Sequence, residues 1–103
     1  MFKSVLTDSV IAASDIAPNR FVGVNGDLGG NYGVTLYGGE ANRPIDVVVL
    51  GIAEVEVASE ETIQAGDLVK SDTEGKAVKD NTSGIYLART GGTAGELIEV
   101  LIR

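Results

Sequence analysis

The Val, Ile, Leu and Ala of this chain come in short runs, and 14 glycines separate them. Runs of roughly 5 to 10 residues, bounded by Gly, Asn and Asp, suit strands joined by turns. No long stretch keeps the three- and four-residue spacing of an amphipathic helix. The pattern predicts an all-β chain with strands over Arg20–Val24, Tyr32–Tyr37, Asp46–Ala58, Leu68–Ser71, Lys76–Lys79, Gly84–Thr90 and Glu96–Arg103. At 103 residues it is expected to form a single domain over 1–103, with room for one core.

The run "DVVVLGIAEVEVA" sharpens this expectation. Alternation puts Val47, Val49, Gly51, Ala53, Val55 and Val57 on one face and Val48, Leu50, Ile52, Glu54 and Glu56 on the other. The first half is apolar on both faces, as a strand covered from both sides or by a second subunit would be. In "ELIEVLIR", Ile98, Val100 and Ile102 are assigned to the core, leaving Leu97 and Leu101 beside Glu99 and Arg103 on the opposite face. Val48, Leu50, Ile52, Leu97 and Leu101 are therefore the candidate oligomer contacts.

Turn chemistry accounts for the polar clusters. "DTEG", Asp72 to Gly75, reads as a hairpin turn in which Asp72 bonds its own backbone and Gly75 takes a positive φ. "TGGTAG", Thr90 to Gly95, predicts a second, looser hairpin, and "SEET", Ser59 to Thr62, at most one helical turn capped by Ser59. "GVNGDLGGNYG", Gly23 to Gly33, has neither phosphate-loop spacing nor a following helix, and reads as a flexible loop or bulged hairpin.

Catalysis is poorly provided for. With no His and no Cys, the commonest general base and metal ligand, every Ser/His or Cys/His pairing and any thiolate zinc site are absent. Asp67, Asp72, Glu74 and Asp80 invite a metal reading, but counting a calcium loop from Asp72 puts Lys76 at the fifth position, where an oxygen is needed. If the flanking runs pair, Asp67 and Asp80 fall at one end of a hairpin and Asp72 and Glu74 at the other, so no single site forms. "NTS", Asn81 to Ser83, is a glycosylation acceptor in form only, since no secretory signal is read in the first residues. The chain is expected to be non-enzymatic, with no cofactor and no metal.

Fifteen acidic against eight basic residues, net -7, argue against phosphate backbones and anionic lipid as partners. The longest apolar run, Val47 to Ala53, is far short of the ~20 residues a membrane helix needs. Neither nucleic acid nor membrane is an expected partner. A β-rich adaptor or carbohydrate-binding module stays open, with Asn31, Tyr32 and Tyr37 as its candidates.

Taken in order, "ASDIAPNRFVGVNG", "VVVLGIAEVEVASEETIQAGDLVKSDTEGKAV" and "GIYLARTGGTAGELIEVLIR" resemble the capsid decoration, or cement, proteins of tailed bacteriophages. The elements fall on Asp15 to Val22, Val47 to Val57, Ile63 to Ala77 and Gly84 to Ile102. The resemblance implies a small β-barrel or sandwich, β-tulip-like, without catalytic residues. It further implies a protein, often trimeric, on the outer surface of the virion head, bridging major capsid protein subunits against the pressure of packaged DNA. The long Pro-rich N-terminal arm of some relatives is lacking. Residues 1–12 are still the expected arm, with Phe2, Val5 and Leu6 as candidate capsid-binding residues.

Overall fold

In the computed structural model, which describes residues 3–102 and the side-chain surroundings of 6–102, the runs become ten strands. They are β1 (Lys3–Ile11), β2 (Phe21–Val22), β3 (Gly33–Thr35), β4 (Pro44–Glu56), β5 (Thr62–Ile63), β6 (Leu68–Ser71), β7 (Ala77–Lys79), β8 (Tyr86–Ala88), β9 (Gly92–Thr93) and β10 (Leu97–Ile102). No helix forms among the described residues, and the fold is a small all-β domain with a nearly closed, barrel-like sheet. Its order is β2-β3-β4-β10-β8-β6-β7, with β1 added on β4, while β5 and β9 pair separately.

β4 is paired on both edges. Val48 has Thr7 of β1 and Val34 of β3 as partners, and Gly51 has Ser4 of β1 and Ile102 of β10. A doubly paired residue has its partners on opposite sides, so β3 and β10 follow one another along one edge and β1 occupies the other. The segment expected to be an arm is thus, from Lys3 to Ile11, a strand of the sheet. Its alternation was hidden in the sequence by two register shifts, between Ser4 and Leu6 and between Leu6 and Thr7, and by the polar residues of an exposed edge.

The same irregularity corrects the face assignment of β4. Ile45 and Val47 are buried in a cluster with Val10, Ala12, Ile16 and Val22, whereas Val48 enters the main core with Ala53, Val55 and Val57. A bulge adds one residue to a period of two, so even positions before it and odd positions after it reach the same interior. Val48, expected on an outer face, is fully buried and is a core residue rather than an interface candidate.

Phe21 stacks on Tyr86 in the main core, with ring centroids 5.1 Å apart and planes at 8°. Ile98, Val100 and Ile102 lie in the same core, as the alternation of β10 predicts. The barrel is drawn shut where the Phe21 N–H donates to the Gly75 carbonyl at 2.7 Å and Val57 bridges to Ala77. Glu56 reinforces this seam, meeting Arg20 at 3.0 Å and Lys76 at 3.4 Å. Ser59 does not cap a helical turn. Glu61 N–H donates to the Ala58 carbonyl, with Glu60 at φ 65, so the segment is a tight turn that leads directly into β5.

Candidate interaction surface

Asp67, Asp72 and Asp80 engage their carboxylates in turns. Asp72 Oδ1 accepts the N–H groups of Glu74 (2.9 Å) and Lys76 (2.8 Å), and Gly75 takes φ 77, giving the expected β6–β7 hairpin. At the other end Asp67 accepts from Gln64 N–H and the Asn81 amide, and Asp80 from Thr82 N–H, Ser83 N–H and the Ser83 hydroxyl. Lys70 Nζ also lies 2.8 Å from Asp80, and this bond, followed by those from Ser83 and Thr82, holds the Asp80 carboxyl far below the usual range. The four carboxylates divide between the two ends as predicted. Among the described residues no group of three or more acidic side chains is placed to hold a metal ion.

The Gly23–Gly33 segment is a bulged hairpin loop between β2 and β3, closed by Gly23 N–H to Asp27 carbonyl and Tyr32 N–H to Val22 carbonyl. With Lys70, Ser71, Ser83, Ile85 and Tyr86 it borders an open cleft of ≈ 410 Å³. The Tyr86 hydroxyl donates to the Asn31 carbonyl at 2.6 Å. The Ser71 and Ser83 hydroxyls and the Lys70 ammonium, which also line the cleft, are likewise engaged. Tyr32 packs against the second cluster and donates to Asp8 Oδ2 at 2.5 Å, while Tyr37 is 78% exposed.

Surface, rather than a cavity, carries the candidate residues. Ile52 of β4 is directly opposite Leu101 of β10, Leu101 is opposite Leu87 of β8, and Leu87 is opposite Leu68 of β6. Each side chain is half-buried and has at least one buried neighbour along its strand, and cross-strand partners share a face, so the four form one apolar row across the outside of the sheet. Leu50, 40% exposed, is opposite Leu6, 55% exposed. Residues expected to serve two roles, capsid contact and self-association, are therefore cross-strand neighbours. Leu97 is 46% exposed and faces Glu56 across the strands, with Glu99 between it and Leu101 along β10. Phe2 lies outside the described residues, as does the side chain of Val5.

Leu68 and Leu87 were missed as surface candidates. Each alternates with buried neighbours, Val69 for one and Tyr86 and Ala88 for the other, which marks them as outward-facing. Their joining into one row depends on strand register, which a single sequence does not display.

The phage cement protein family model matches residues 2–102. No curated protein sequence matches the chain. Among solved structures, the crystal structure of the head fiber gp8.5 N base in bacteriophage phi29 superposes with a TM-score of 0.71 at 19% identity, covering 100% of this chain and 95% of that one. At that identity the likeness is one of fold.

Proposed function

The chain belongs to the phage cement protein family, and from that premise we propose that it is a non-enzymatic decoration protein of the virion. It binds the outer surface of the expanded head and bridges neighbouring major capsid protein subunits. The family match over residues 2–102 carries this reading. The surface supports the binding role, since the exposed residues offer apolar rows and a strand edge. Leu6 with Leu50, and Ile52 with Leu101, are the contact candidates, with Leu97 at the rim; Phe2 and Val5 join them on sequence grounds.

A homotrimer suits the role. Three modest contacts acting together raise avidity by roughly 10² to 10⁴ over one contact alone. The formal charge of -7 also keeps such a protein from adhering to nucleic acid.

Purified protein added to expanded heads lacking it should bind at saturable, symmetry-related sites and raise the temperature of head rupture. A ligand that binds only the intact shell stabilises it by RT ln(1 + [L]/Kd), roughly 2.7 kcal/mol per site at a hundredfold excess over Kd. Absence of binding to matched expanded heads would overturn the reading.

A further inference from the structure

We propose that the free edge of β1 between Leu6 and Ser9 receives an extended, basic segment of the capsid partner, which adds to the sheet as one more strand. The inference rests on the capsid-binding reading above and specifies its chemistry.

The direction of the main-chain groups is fixed by the sheet. Asp46 turns its carbonyl to the Leu36 N–H at 3.2 Å, on the β3 side of β4. Ser9, opposite Asp46 on the other side, therefore belongs to a non-hydrogen-bonded pair, and its own N–H and C=O point to the open edge. Alternation gives Thr7 the same orientation. Among the described residues β1 pairs with β4 alone, so these groups have no strand partner. The Ser9 N–H turns to the neighbouring Asp8 carboxylate; the Tyr32 hydroxyl first, and then this N–H, hold that carboxyl below its ordinary value. Further along, the edge is closed, because Gly26 packs so near the Ile11 carbonyl that a Cβ there would lie 1.9 Å from it.

Outward main-chain groups select an extended backbone, and the side chains beside them select its sequence. Leu6 and Leu50 offer an apolar contact on one face. Asp8 is exposed on that face, and Asp46, opposite Ser9, is exposed on the other. Neither Leu6–Ser9 nor the facing stretch Asp46–Leu50 contains a Lys or Arg, and Leu6–Ile11 contains no Pro to blunt the edge. The fitting occupant is an extended segment with an apolar residue and at least one Lys or Arg. A second copy fits badly: antiparallel self-pairing centred on this stretch sets Asp8 against Asp8, between chains each of formal charge -7.

Ser9→Pro removes an N–H that lies outside the β1–β4 ladder, so the isolated variant should melt near the wild-type temperature. Its affinity for expanded heads should fall roughly tenfold or more. Asp8→Lys should weaken head binding as well. On the wild-type protein, the Thr7 and Ser9 amides should exchange with deuterium far more slowly on heads than in solution, a measurement that holds even if Ser9→Pro does not fold. Wild-type binding with unchanged exchange at Thr7 and Ser9, or full binding by a folded Ser9→Pro, overturns this proposal and leaves the capsid reading standing. Failure of the wild-type protein to bind overturns both. A wild-type oligomer that Ser9→Pro converts to a monomer makes the occupant a second copy and overturns it too.

Discussion

Ile52 of β4 stands directly opposite Leu101 of β10, both half-buried on the face of the sheet turned away from the core. Such a pair gains little from water on its outer side and more from a covering surface. Light scattering at micromolar concentration should show a trimer or another closed oligomer. The double variant Ile52→Lys, Leu101→Lys should be monomeric while keeping the β-sheet circular dichroism of the parent. An oligomer that survives both substitutions would place the contact elsewhere.

Deletion of residues 3–8 should destabilise the isolated protein. Those residues form most of β1, and their loss opens the edge of β4 from Val47 to Ile52. The expected cost exceeds about 2 kcal/mol, a fall of roughly 10 °C or more in Tm for a domain of this size. A deletion variant with the parental Tm would show that β1 contributes nothing to the free fold.

The β6–β7 turn separates two kinds of residue. Asp72→Asn with Glu74→Gln keeps an oxygen acceptor for the Glu74 and Lys76 N–H groups, so thermal melting should register only a few tenths of a kcal/mol. Gly75→Val should cost at least about 2 kcal/mol, because a β-branched residue at positive φ is strained. Its Cβ would also lie 2.7 Å from the Phe21 carbonyl at the barrel seam. Equal melting of the two variants would contradict this division.

Thr35 is fully buried, and its hydroxyl donates to the Ala17 carbonyl at 2.9 Å while accepting the Arg20 N–H at 3.1 Å. Thr35→Val retains the shape and strands both main-chain groups. Denaturant unfolding should report a loss of about 1–3 kcal/mol. Thr35→Ser, which keeps the hydroxyl, should cost less than Thr35→Val.

Acid should destabilise the domain through its turn carboxylates. Asp80, Asp67, Asp8 and Glu96 are all held below their ordinary values, chiefly by the donors Lys70, Gln64, Tyr32 and Thr93 respectively. A carboxylate with a lowered folded-state pKa adds stability above its unfolded value, and that stability is lost as pH falls through the folded one. Tm should therefore hold near neutrality and decline below about pH 4, where free carboxyls begin to protonate. In Asp80→Asn the decline should be shallower; an identical slope would remove Asp80 from the acid response.

How far the sequence reaches can be seen along two strands. β10 was legible because it is regular: Ile98, Val100 and Ile102 keep the strand period, and each is buried where that period puts it. The Asp72–Gly75 hairpin was legible because its chemistry is local, one carboxylate bonding its own turn and one glycine accepting a positive φ. The resemblance to the family likewise lies in the order of such local elements. β4 was legible only in part, because a bulge shifts its period and the sequence does not mark where. An unbroken period puts Val48 on an outer face, although it fills the core. β1 was not legible as a strand at all, since an edge strand needs little apolar alternation and gains its place through main-chain bonds to a distant partner. The apolar row from Leu68 to Ile52 and the meeting of Leu6 with Leu50 belong to tertiary structure for the same reason. Local turns and periods depend on neighbours along the chain, whereas register across strands depends on which far segments pair, and only the folded sheet decides that.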